Sequence, residues 1–190
     1  TAVGSLSGDA NTTANNNTSL GYASLSTAGG NQNTALGSQS LFSNTAANNT
    51  AVGYEALFAN TTGTQNVAVG TSAGASVTTG GNTVAIGYQA GDALTTGSNN
   101  IAIGKNALGA EDTHSFNIAI GSNALSVQNA GADAYNIAIG YNAGTAVTTG
   151  VQNTFIGGLA GDATTTGIRN TAVGQQSLST NTTGGLNTAL

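Results

Sequence analysis

The chain has 190 residues, with 29 Gly, no Pro, Cys, Met or Trp, 5% charged residues and a formal net charge of −5. Two cations in that length cannot neutralise a run of phosphates, so a nucleic-acid footprint and a polybasic membrane patch are excluded. No apolar run approaches the ~20 residues of a membrane helix, no disulfide frame or thiol metal site can form, and large core-forming side chains are scarce.

Taken from the first residue onward, the chain repeats an Asn-Thr-Ala-Val-Gly type motif. Its Gly falls at Gly4, Gly21, Gly37, Gly53, Gly70, Gly87, Gly104, Gly121, Gly140, Gly157 and Gly174, so successive copies are 17, 16, 16, 17, 17, 17, 17, 19, 17 and 17 residues apart. A twelfth copy stops at Leu190. The chain opens on TAVG and closes on NTAL, both within a repeat, which predicts a segment of a longer array. We number positions from this Gly as zero. Minus one is always branched and apolar, from Val3 and Leu20 through Ile86 and Ile120 to Val173. Minus two is Ala except for Ser19 and Phe155. Minus four is Asn in every complete copy but the one with Thr83. Plus three is Ala or Ser, plus four is Leu or Gly, and a Thr-Thr-Gly usually follows.

Each copy predicts one rung of a solenoid. Over the first copies the strand reads Thr18-Ser19-Leu20 and Thr34-Ala35-Leu36. In the middle it becomes Val67-Ala68-Val69, Val84-Ala85-Ile86 and Ile101-Ala102-Ile103. Side chains alternate along a strand, so minus one and minus three share a face, and their apolar character predicts that this face is the core. Ala at minus two then lies on the opposite face, where close approach is possible. The zero Gly and the Gly of Thr-Thr-Gly predict corners. Helix is excluded by the absence of a 3.6 period and by the Gly, Thr and Asn content. Disorder would not hold a branched residue at minus one through twelve copies. One rung cannot bury its own apolar strip, so rungs stack in parallel as in other solenoids. Asn66, Asn100, Asn117, Asn136, Asn153 and Asn170 predict a ladder of side-chain amides bonded from rung to rung.

The regularity breaks over residues 105–133. The Thr-Thr-Gly turn disappears, His114 and Asp133 take the slot usually held by Gly, and the next unit is two residues longer. Lys105, Glu111, Asp112 and Asp133 are four of the nine charged residues, and the one His joins them. Function concentrates in loops on rigid scaffolds, so these five residues are the candidate recognition patch. His114, Ser115 and Asp112 do not make a triad on sequence proximity, since adjacent residues of an extended segment point apart. Gly80-Gly81 lacks the Lys-Ser/Thr of a phosphate loop. The pairs Gly8-Asp9, Gly91-Asp92 and Gly161-Asp162 lie on distant rungs and cannot share a metal. No catalytic residue, metal ligand or cofactor site is assigned, and the chain reads as a non-enzyme. Farther on, Phe155 breaks the Ala row at minus two while Gly158 follows the zero Gly. A volume exchange between those two is expected. Tyr22, Tyr54, Tyr88 and Tyr141 recur just after the zero Gly and predict packing along the roll or at a subunit seam, with a glycan-stacking surface as the alternative.

NVAVG at 66–70, NIAIG at 100–104, 117–121 and 136–140, and TVAIG at 83–87, each followed by two variable residues and Ala, resemble the head repeats of trimeric autotransporter adhesins. Similar repeats occur in tail and side fibres of bacteriophages. The repeats of those adhesins are shorter, and the extra residues here sit in the Thr-Thr-Gly turn. The resemblance covers essentially the whole chain. It implies an all-β, parallel β-solenoid, a left-handed β-roll of about eleven rungs of 16–19 residues, forming one continuous segment over 1–190. It also implies a parallel homotrimer on a cell or virion surface, outside the cell, binding a host surface protein or glycan. A thin rung with few large apolar side chains is itself marginal alone, which also points to self-association. No nucleic-acid partner and no membrane insertion by this segment are expected. An ice-binding β-solenoid is the alternative function, from the Thr rows on a weakly charged roll.

Overall fold

The computed structural model describes residues 1–27 and 29–190. Twelve short strands lie in one parallel sheet, in chain order. They are β1 (Ala2–Val3), β2 (Thr18–Leu20), β3 (Thr34–Leu36), β4 (Thr50–Val52), β5 (Val67–Val69), β6 (Val84–Ile86), β7 (Ile101–Ile103), β8 (Ile118–Ile120), β9 (Ile137–Ile139), β10 (Thr154–Ile156), β11 (Thr171–Val173) and β12 (Thr188–Ala189). Each strand pairs with the equivalent residues of the next copy, Val67 with Val84 and Val69 with Ile86, as the repeat predicts. The longer unit keeps register, with Ile118 opposite Ile137 and Ile120 opposite Ile139. The two extra residues are therefore taken up in the connecting turn. The chain is a parallel β-solenoid of about eleven turns. Parallel strands lie roughly 4.8 Å apart, so the sheet extends about 50 Å along the stack.

The interior is the reverse of the expected face. Ala35, Ala51, Ala68, Ala102, Ala119, Ala138 and Ala172, all at minus two, are fully buried. The branched residues at minus one and minus three point outward: Val67 is 36% exposed, Val69 37% and Leu20 50%. The reason is size. A rung of about 17 residues with several corners encloses little width, and that width is shared by minus two, plus three, plus four and plus seven. Small side chains satisfy it better than greasy ones.

The corners bring the chain round. The zero Gly has a positive φ, +134° at Gly70, and a Cβ there would press on the Gly87 carbonyl of the next rung. Plus two and plus four are also left-handed, as at Gln89 (φ 52°) and Leu57 (φ 50°). These turns send backbone bonds both ways along the stack. Gln89 N–H donates to Thr71 O in the preceding rung at 3.0 Å, and Leu57 N–H to Ala73 O in the following one at 3.0 Å.

Plus four and plus seven share one volume. Where plus four is Leu, plus seven is polar in every copy but that of Leu25, which has Ala28: Leu41 goes with Asn44, Leu57 with Asn60, Leu108 with Glu111, Leu125 with Gln128. Where plus four is Gly, plus seven supplies the apolar filling. Val77 lies against Gly74 and Leu94 against Gly91, and both side chains are fully buried. Gly161 has Thr164 at plus seven, and there Phe155 fills the space. A Cβ on Gly161 would stand 2.5 Å from ring atoms of Phe155, and one on Gly144 would stand 2.9 Å away. The exchange proposed for Gly158 is thus corrected. A Cβ on Gly158 would find only the Tyr141 carbonyl at 4.0 Å, so the ring occupies space left by Gly144 and Gly161.

Candidate functional site

Each of the predicted ladder Asn residues except Asn117 reaches the next rung with both ends of its amide. The Asn66 Oδ1 accepts the Thr83 N–H at 2.9 Å, while its Nδ2 donates to Gly80 O at 2.8 Å. Asn100, Asn136, Asn153 and Asn170 do the same, each to the ladder residue and to the residue in the Gly slot of the following rung. The column is a ladder, but its bonds run mainly from side chain to main chain, not from amide to amide. The Thr83 N–H donates to Asn66, yet the Thr83 Oγ1 is buried without a partner among the described residues. A second ladder went unnoticed in the sequence. The first Thr of Thr-Thr-Gly donates its hydroxyl to the main chain of the next rung, Thr61 to Thr78 at 3.0 Å and Thr78 to Thr95 at 3.1 Å.

Both ladders change at the irregular rung. Asp112-Thr113-His114 stands where Thr-Thr-Gly is expected, and the Thr95 hydroxyl donates to Asp112 O at 2.8 Å. Asn117 lacks the usual bracket, because the following turn carries the two extra residues. Gln128 stands in: its Nε2 donates to Asn117 Oδ1 at 3.0 Å, and its Oε1 accepts from Asn136 Nδ2 at 3.0 Å. The same Nε2 donates to Glu111 Oε2 at 2.8 Å. Sequence reasoning missed Gln128, although its position at plus seven marks it as interior.

Glu111 corrects the surface patch. It also lies at plus seven, and it is fully buried inside the roll. Its Oε1 meets His114 Nδ1 at 2.6 Å, the one close contact between a carboxylate and a basic side chain among the described residues. His114 and Asp112 are partly buried at the mouth of this interior slot, and the donor atoms of Glu111, Asp112 and His114 lie within 4.8 Å of one another. Asp133 joins from the next rung, its carboxylate accepting the Ser115 N–H at 2.9 Å. Lys105 is not brought in; it stands exposed at plus one. Ser115 Oγ accepts the Ser98 N–H at 3.1 Å, so it is bound to the preceding rung.

Two surface features flank this slot. Phe116 and Tyr135, at minus five where Asn or Gln is usual, stack with centroids 5.1 Å apart and planes within 1°. Their rings are 42% and 52% exposed. The departure from Asn/Gln in that column was the available signal. On another side a shallow polar depression is lined by Gln89, Asp92, Asn106, Gly109, Asn123 and Ser126. Partial burial raises the Asp92 carboxyl above its ordinary value, against the opposing pull of backbone N–H bonds. Tyr22, Tyr54, Tyr88 and Tyr141 stand about half exposed beside the sheet. No helix among the described residues is long and apolar enough to cross a membrane. No family model, curated protein or solved structure matches the chain.

Proposed function

We propose that this chain is a rigid segment of an extracellular fibre or adhesin that self-associates as a parallel homotrimer on a cell or virion surface. The observation that carries this reading is the outward row of Val, Ile and Leu at minus one, continuous from β2 to β11 and doubled by Val and Ile at minus three from β5 to β9. Partly exposed branched residues on rung after rung make an apolar strip far longer than a solitary soluble chain keeps in water. A parallel partner has the same strip at the same spacing and covers it rung for rung. The repeats that resemble adhesin heads and phage fibres support the same assembly and site of action.

Light scattering on the folded protein tests the assembly. The expected mass is three times the 18.3 kDa of one chain, and a single-chain mass would end the proposal. Recognition of a host protein or glycan is assigned to the irregular rung, with Asp112, His114 and Asp133 beside the stacked Phe116 and Tyr135. Replacing residues 110–116 by the equal-length 59–65 should abolish attachment while the mass stays unchanged. Attachment at full strength would move recognition elsewhere. Ice binding is the second reading, favoured by the outward Thr at minus three in β2–β4 and β10–β12. It ranks second because Val and Ile replace that Thr from β5 through β9, and a measurable thermal hysteresis would restore it.

A further inference from the structure

We propose that Glu111, Asp112 and His114 bind one divalent transition-metal cation of the Zn2+ type in each chain. This is independent of the fibre reading. Glu111 presents a carboxylate in the interior of the roll, fully buried. A buried carboxylate is stable only with a counter-charge or a full set of hydrogen bonds. The chain has two Lys or Arg residues, and neither reaches it: Lys105 is exposed, and Arg169 donates to Gln152. Among the described residues the only group facing Glu111 that can carry positive charge is His114, while Asp112 adds a second negative charge alongside. Two carboxylates and an imidazole, with donor atoms all within 4.8 Å, leave a local deficit that one divalent cation balances.

The geometry suits such an ion. Zn–N and Zn–O bonds of about 2.0–2.2 Å place ligand atoms roughly 3 Å or a little more apart. The His114 Nδ1 and Glu111 Oε1, now at 2.6 Å, part by somewhat under about 1 Å, while the Asp112 carboxylate closes in from within 4.8 Å. Glu111 is held from behind: Gln128 fixes Oε2 at 2.8 Å and leaves Oε1 facing the imidazole. Orientation of a ligating carboxylate by an outer hydrogen bond is what metal sites use. Asp112 and His114 are partly exposed and open the site to solvent. The metal takes the Nδ1 lone pair of the neutral imidazole, whose hydrogen then stands on Nε2, and the metal replaces the Nδ1–Glu111 contact. Three protein ligands leave room for a water at the fourth position. A mixed imidazole and carboxylate set favours Zn2+, Co2+ or Ni2+ over Ca2+.

The repeat supplies variants that the fold already accommodates. Glu111→Gln places at plus seven the residue that Gln128 provides one rung on. His114→Gly restores the usual residue of that slot. Asp112→Asn copies Asn129 in the same column. The test uses tag-free protein, freed of metal with a chelator, then titrated with Zn2+ by calorimetry and melted with and without the metal. The expected result is one Zn2+ per chain and a melting temperature raised by Zn2+ and returned by chelator. Glu111→Gln and His114→Gly should each weaken Zn2+ binding at least tenfold, with unchanged circular dichroism before metal is added. Asp112→Asn should weaken it less. No saturable binding by the wild-type chain up to millimolar Zn2+ would overturn the proposal, leaving Glu111 and His114 as a metal-free buried pair. Wild-type affinity in either His114→Gly or Glu111→Gln would also overturn it.

Discussion

Phe155 is the largest side chain in the interior, and it is tolerated because two glycines stand aside. Gly161 is left-handed (φ 60°), but Leu57 and Leu108 hold the same column at φ 50° and 52°. The backbone there accepts Leu, so the obstacle to a side chain at Gly161 is the ring of Phe155. Phe155→Ala alone empties the space and should cost about 3–5 kcal/mol. Gly161→Leu alone drives Cβ into the ring and should also destabilise, by roughly 1–3 kcal/mol or more. The double variant rebuilds the Ala and Leu pair found at Ala51 and Leu57. Denaturant unfolding of the four proteins should show the pair more stable than either single change, with a coupling on the order of 2 kcal/mol. Additive losses would mean that the ring and the Gly161 position do not share one space.

At the scale of the rung, the sequence makes the period, the strand and the parallel register legible, because those depend on spacing alone. The Asn column was legible too, since Asn66, Asn100 and Asn153 recur where the turns around them vary. The inward face was not. Hydrophobicity ranked Val and Ile above Ala, whereas a narrow interior selects by volume, and the outward face of Val67 and Val69 is apolar for another reason. Glu111 was misplaced on the surface for a related cause: charge suggested solvent, while position at plus seven, shared with Asn60, Val77 and Leu94, dictates interior. That column also carries a rule that pattern-reading could have found. Leu at plus four goes with a polar plus seven, apart from Leu25 with Ala28, and Gly at plus four with an apolar one, apart from Gly8 with Asn11 in the first turn and Gly161 with Thr164 beside Phe155. The rule predicts that Leu57→Gly, which should cost about 2–5 kcal/mol as a large-to-small core change, is largely rescued by Asn60→Val. Asn60→Val alone crowds Leu57 and strips the 2.6 Å bond to Asn44, so it should destabilise. Thermal melts of the three variants decide it. A double variant no better than Leu57→Gly would show that the two positions fill separate spaces.

Along the whole molecule the same asymmetry separates stability from assembly. Each rung touches only its neighbours, so the solenoid behaves as a one-dimensional stack whose interior and outer face contribute independently. Ala119 and Ile120 are adjacent in β8 and point opposite ways. Ala119 is fully buried with Leu108 and Leu125 filling the neighbouring plus-four positions, and no glycine leaves space for more. Ala119→Leu therefore overpacks a closed interior and should lower unfolding stability by about 1–3 kcal/mol, while the assembled mass holds. Ile120 and its neighbour Ile103 stand partly exposed on the outer strip. Lysines there meet water in a separate chain but meet each other's charge, desolvated, between associated chains. Ile103→Lys combined with Ile120→Lys should bring the mass from the trimer down to 18.3 kDa with the β-sheet circular dichroism of each chain retained. The outcome that would sink this view is the reverse one, with Ala119→Leu accepted without loss and the paired lysines unfolding the chain. Branched residues would then form the true core, and the alanine row would face outward after all.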